Sequence, residues 1–145
     1  LDNLTKAKEF ISKSGIRIRM QSGVYKSPPW GKTDQDSFLN QAIEVETKLS
    51  PMELLKEIKV IEKLVGRKKR ERWGPREIDI DILIFRDVVL NSEILKIPHP
   101  ELSNRSFALV PLNEIASEQI VPGVNIRVKT LLQKREDKSE ISLYS

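Results

Sequence analysis

Cysteine is absent from this chain of 145 residues. That excludes a disulfide framework and thiolate metal sites, and it suits a reducing, cytoplasmic setting. No apolar run reaches the ~20 residues that a membrane helix needs. No internal repeat, low-complexity linker or secretory signal is visible. A leading methionine is also missing, and with Leu1 first a segment upstream is expected to be lacking. What is present suits a single compact domain over 1–145, since 39% of residues are hydrophobic and one core can be built from them. The charged stretch 133–145 is expected to be a flexible tail. Lys and Arg total 25 against 21 acids, a formal charge of +4. So small an excess permits an anionic partner without demanding one.

Leu4, Ala7, Phe10 and Ile11 share a helical face, with Gly15 as the stop. Ile16, Ile18 and Met20 alternate with polar residues, which predicts a half-buried strand continuing through Val24 and Tyr25. Two prolines and a glycine make Ser27 to Asp34 a loop. Ile43, Val45, Thr47 and Leu49 mark a second strand. Ser50-Pro51-Met52-Glu53 is a capping box with proline in the first turn, opening a helix through Leu54, Leu55, Ile58, Ile61 and Val65 that Gly66 ends. A basic loop, 67–76, leads into an alternating strand at 78–84. A hairpin-like piece from Val88 to Ile97, the Pro98-His99-Pro100 turn and a short helix near Phe107 to Glu114 follow. Helix, strand, strand, helix, strand is the βαββαβ pattern of a ferredoxin-like fold without its front strand.

The chemistry centres on 78–84. Ile78, Ile80, Ile82 and Ile84 point to one face, so Asp79 and Asp81 share the other. At about 3.3 Å per residue their Cα atoms lie roughly 6.6 Å apart, a spacing that lets two carboxylates converge on one cation or a close pair. Hard oxygen ligands suit magnesium, which takes one or two carboxylates plus substrate phosphates. Alone, an Asp-x-Asp pair is more often a solvated strand face. The preceding loop shifts that balance: Arg67, Lys68, Lys69, Arg70, Arg72 and Arg76 are six cations in ten positions. Such a loop feeding a carboxylate pair suits a polyphosphate and its magnesium, as in ATP. A solvated basic loop or nucleic-acid binding is the competing reading. Trp73 in that loop is either a packing anchor or a cover over a ligand. His99 is the only histidine; a lone histidine is more often structural, yet with Arg105 it can form a second phosphate cluster. Phe38 and Phe107 read first as core. With the Asn40 amide nearby, they are also the kind of residues that hold a planar ring.

These pieces, in this order, resemble the 6-hydroxymethyl-7,8-dihydropterin pyrophosphokinase family of the folate pathway. The matching stretches are Tyr25 to Gly31, Phe38 to Ala42, Gly66-Arg67, Glu71 to Ile82, Pro98 to Pro100 and Asn104 to Phe107. The resemblance runs from about Leu1 to Leu132, and the block Arg72 to Asp81 is its most specific part. It implies an α+β, ferredoxin-like sandwich with a mainly antiparallel sheet and helices on one face. It also implies transfer of pyrophosphoryl from Mg-ATP to the pterin hydroxymethyl group, releasing AMP. Asp79 and Asp81 would hold two magnesium ions, and Arg67 and Arg76 would act with them in catalysis. Leu55, Lys59, Glu62, Arg70, Trp73, Ile82, Leu95, His99 and Arg105 would serve ATP. Ser27, Pro28, Trp30, Phe38, Asn40 and Phe107 would serve the pterin. The implied partners are the two small-molecule substrates, with neither nucleic acid nor membrane, for a monomer or a domain fused to another folate enzyme.

Three features depart from the family pattern: the first strand with its Gly-Ser-Asn turn is not in this sequence, the basic loop is a residue shorter than in some members, and Pro100 stands where some carry tyrosine. Two other classes compete. An RNA-binding module would present aromatics where the 78–84 strand presents aspartates. A hydrolase with an acid–base carboxylate pair would leave the cationic loop without a substrate to hold.

Overall fold

The computed structural model describes residues 1–27, 38–66 and 78–144. It is a mixed α+β structure, with four α-helices and several small antiparallel strand pairs among the described residues. The loop expectations at 28–34 and 67–76, with Pro28, Trp30, Arg67, Arg70, Trp73 and Arg76, lie outside the described residues. No described helix is long and apolar enough to cross a membrane. The chain forms two compact units, Leu1–Arg19 with Val45–Ile82, and Met20–Glu44 with Leu83–Ser145.

In the first unit, α1 (Asp2–Lys13) buries Ala7 and Ile11, one turn apart. Gly15 follows at φ +83°, a left-handed conformation that favours glycine, and it stops the helix there. Helix α2 (Pro51–Gly66) opens with the expected reciprocal cap. The Ser50 N–H donates to Glu53 Oε1 at 2.8 Å, and the Glu53 N–H donates to Ser50 Oγ at 3.2 Å. The backbone bond from Ser50 holds the Glu53 carboxyl below its usual range. Leu54, Ile58, Ile61 and Val65 repeat with helical period and are buried, and α1 packs on α2.

The strand expected from Ile16 to Tyr25 is two strands: β1 (Arg17–Gln21), which pairs with β4 (Ile43–Glu46), and β2 (Tyr25–Ser27), which pairs with β3 (Phe38–Asn40). The break falls at Ser22, 3% exposed. Its hydroxyl accepts from the Ala42 N–H at 3.0 Å and its own N–H donates to the Ala42 carbonyl at 2.9 Å. The Gly23 N–H leaves the strands altogether and donates to the Glu114 carboxylate at 3.1 Å.

The second unit closes around Leu102, Leu109, Leu112, Val121, Val128 and Leu131. These come from a 3₁₀ turn (Leu102–Asn104), α3 (Ser106–Ala116), the hairpin of β7 (Ile120–Val121) with β8 (Ile126–Arg127), and α4 (Val128–Lys134). The expected hairpin between Val88 and Ile97 is present as β5 (Leu90–Asn91) against β6 (Lys96–Ile97). The stretch 133–145, expected to be a flexible tail, carries β9 (Ser142–Leu143), which pairs with β2 opposite Lys26 and Tyr25. The Tyr144 N–H also donates to the Val24 carbonyl at 2.7 Å.

Candidate active site

Residues 78–84 alternate as expected only in part. Ile78 and Ile80 are half-buried and Ile82 is buried, while Asp79 and Asp81 are exposed, so the two acids do face away from the isoleucines. Beyond Ile82 the alternation ends, because Leu83 and Ile84 both pack against the core of the second unit. The segment also makes no ladder with another strand among the described residues. A strand needs a partner for its N–H and C=O groups; here a helix side chain serves one of them. Glu62 on α2 accepts the Ile80 N–H through Oε2 at 2.7 Å, midway between the two aspartates. Its other oxygen lies 3.3 Å from Lys59 Nζ. The Glu62 side chain is 16% exposed and that of Lys59 60%, so the glutamate is a scaffold that accepts inward and the lysine presents its charge to solvent.

No group of three or more His, Asp or Glu side chains among the described residues is placed to hold a metal. Magnesium does not require one, because it keeps waters and substrate phosphates with one or two carboxylates. Two outward carboxylates on a backbone anchored between them fit that ion. Glu62→Ala is expected to lower turnover about tenfold, the worth of a hydrogen bond to a charged group. The Mg²⁺ concentration for half-maximal rate should rise with it. A steady-state magnesium titration checks this.

Of the remaining residues expected to serve ATP, Leu55 is half-buried on α2 and Ile82 is 9% exposed. Leu95 is buried and sits in a hairpin turn where Ser92 Oγ receives its N–H at 3.0 Å and donates to its carbonyl at 2.9 Å. His99 is half-buried, and its N–H donates to the Leu83 carbonyl at 3.0 Å. Its Nδ1 accepts the Glu101 N–H at 3.2 Å. That bond assigns the neutral ring's proton to Nε2, which is then a donor suited to a phosphate oxygen. Arg105 pairs with the Glu101 carboxylate and lies over the Phe107 ring, 5.4 Å from its centroid.

Of the residues expected to serve the pterin, the described Ser27, Phe38, Asn40 and Phe107 all fall in the second unit. Ser27 stands opposite Phe38 in the β2–β3 ladder, and the Asn40 amide donates to Ser27 Oγ at 3.3 Å. Phe38 is 45% exposed, so its first reading as core is corrected. Its ring stands at the first position of the short strand β3. Phe107 is half-buried in the first turn of α3, and α3 packs against both β2 and β3. Tyr25 opens β2. Its hydroxyl donates to Glu114 at 2.6 Å, and that bond pushes the phenol above its usual value. Glu114 thereby joins β2 to α3, a pairing 89 residues apart that no local pattern could signal.

Exposed carboxylates at 79 and 81 in the first unit, and an exposed phenylalanine beside an amide in the second, are features that the class of nucleotide-dependent transferases would use. Comparison with known proteins narrows the class. The family profile of 7,8-dihydro-6-hydroxymethylpterin-pyrophosphokinase matches residues 1–117. The 2-amino-4-hydroxy-6-hydroxymethyldihydropteridine pyrophosphokinase of Aquifex aeolicus is 47% identical over 122 residues, 84% of this chain and 73% of that protein. Its namesake in Haemophilus influenzae is 38% identical over 139 residues, 95% of this chain and 87% of that protein. A mitochondrial folate synthesis bifunctional protein of Pisum sativum is 41% identical over 120 residues, 83% of this chain but only 23% of that longer protein. The chain belongs to the 7,8-dihydro-6-hydroxymethylpterin-pyrophosphokinase family, which acts in folate synthesis with Mg-ATP.

Proposed function

We propose that the chain transfers pyrophosphoryl from ATP to 6-hydroxymethyl-7,8-dihydropterin through the residues described above. The observation that carries this reading is the outward pair Asp79 and Asp81, fixed by the Glu62 bond to the backbone between them. These carboxylates would hold two magnesium ions; when bound, magnesium neutralises charge on the triphosphate. Arg67, Arg76, His99 and Arg105 bind phosphate oxygens, and such electrostatic holding supplies most of what phosphoryl-type transfer needs. Lys59, Arg70, Trp73, Leu55, Ile82 and Leu95 border the nucleotide, with Glu62 orienting Lys59. Phe38 and Phe107 stack on the pterin, Asn40 reads its edge, and Ser27, Pro28 and Trp30 assist.

In the reaction the hydroxymethyl oxygen bonds to the β-phosphorus and loses its proton. The bond from that phosphorus to the α,β-bridging oxygen breaks, and AMP departs. The finer architecture proposed is ferredoxin-like, with the 78–84 segment as a strand of a mainly antiparallel sheet. Fusion to another folate enzyme is a compatible setting, supported by the longer Pisum sativum relative.

The test is to incubate the protein with Mg²⁺, ATP and the pterin alcohol and separate the nucleotides. AMP should appear in equal amount with pterin diphosphate. ADP as the product would mean single-phosphoryl transfer and would overturn the reading.

A further inference from the structure

The segment after Lys134 lies outside the family match of 1–117, and none of the roles above falls on it. Yet it makes a dense set of bonds to one residue of the site helix. Ser106, the first residue of α3, is 0% exposed. Its N–H donates to Asp137 Oδ2 at 2.9 Å, and its hydroxyl donates to the Asp137 carbonyl at 2.8 Å. The same hydroxyl accepts from Arg135 Nε at 2.7 Å. A buried serine hydroxyl has one proton to give and must also be matched as an acceptor, and these bonds do both.

The latch is itself held. Asp137 Oδ1 accepts from the Ser139 N–H at 2.8 Å and the Ser139 hydroxyl at 2.5 Å. Arg135 also donates to the Leu132 carbonyl at 2.5 Å, at the end of α4. The Ser139 hydroxyl and the backbone bonds bring the Asp137 carboxyl down to about 2, so it is an anion at the N-terminal end of α3. There it satisfies an N–H that the helix cannot, and it complements the helix dipole. Ten residues or less further on, β9 joins β2, whose other edge carries β3 with Phe38 and Asn40. One stretch of chain therefore ties down both elements that bear the pterin side chains.

We propose that Asp137, supported by Arg135, is a positioning residue for the pterin: it fixes the first turn of α3 and with it the ring of Phe107. The proposal deepens the functional reading and rests on Phe107 stacking on the pterin. Phe107 directly follows the latched Ser106, so a freed first turn would swing the ring rather than remove it. Affinity for the pterin should suffer far more than affinity for the nucleotide, because Arg105 on the other side of Ser106 keeps its pair with Glu101.

The experiment measures binding of the pterin alcohol to the whole chain, by fluorescence, with Mg²⁺ and a non-hydrolysable ATP analogue saturating; analogue binding is measured separately. The variants are Asp137→Ala, Asp137→Asn, Phe107→Ala, the Asp137→Ala/Phe107→Ala pair, and Val121→Ala. Val121, 2% exposed in the same core, reports simple loss of stability. Asp137→Ala should weaken pterin binding about tenfold and leave the analogue within about twofold, a size expected for contacts coupled in one network. The double variant should bind the pterin no worse than Phe107→Ala alone, and Val121→Ala should lower Tm without moving pterin affinity. Equal loss for both ligands, additive losses in the double variant, or a comparable pterin defect in Val121→Ala would overturn the latch. Should Asp137→Ala not fold, Asp137→Asn keeps the shape but offers one acceptor oxygen where the carboxylate uses two, and a selective pterin defect is still required of it. If Phe107→Ala weakens the pterin and neither Asp137 variant does, the latch alone falls. If Phe107→Ala itself is silent, the stacking reading falls and the latch with it.

Discussion

Replacing Asp79 or Asp81 with alanine is expected to lower kcat by about 10²–10³-fold, the loss typical when one charge-stabilising group is removed from a transition state. Thermal stability should barely change, because both side chains are exposed and make no part of the core. Removing one of two nearby like charges also relieves repulsion. Steady-state kinetics with a melting curve on each variant makes the check. Full turnover in either variant would remove the metal role. A collapse in Tm would instead make the aspartates structural.

Phe107→Ala is expected to weaken binding of the pterin by about 10- to 100-fold, since stacking a flat heterocycle on an aromatic side chain contributes roughly 1–3 kcal/mol. ATP binding should change little. The Arg105 guanidinium loses the ring beneath it but keeps its pair with Glu101, and an exposed cation–π contact contributes only about 0.5–1 kcal/mol. Separate titrations of the two substrates decide the matter. Equal weakening of both would contradict the stacking role.

Much of this was legible along the chain because it is local. The capping box at Ser50 and Glu53, the buried period of α2 and the stop at Gly15 follow from spacings of three or four residues. The outward pair at 79 and 81 needs only alternation. What escaped depends on distance in sequence. Nothing near Ser22 announces that Ala42 will end the first strand there. Ile84 keeps the apolar pattern of its neighbours, yet the core of the second unit captures it together with Leu83. The strands β3, β7, β8 and β9 have two or three residues each, too few for a period to declare itself. The latch on Ser106 spans 31 residues, and its charged surroundings look like solvent-facing tail until the buried serine is seen. Phe38 shows the converse: an aromatic side chain reads as core, and the folded chain leaves it exposed.

Family membership settles the reaction class, and the proposed metal site rests on where two carboxylates point. The most direct measurement is a crystal structure with Mg²⁺, a non-hydrolysable ATP analogue and the pterin alcohol. Carboxylate oxygens of Asp79 and Asp81 should ligate magnesium at about 2.0–2.1 Å, the distance that ion demands. Ions held only by phosphates and water, with both aspartates turned elsewhere, would contradict it.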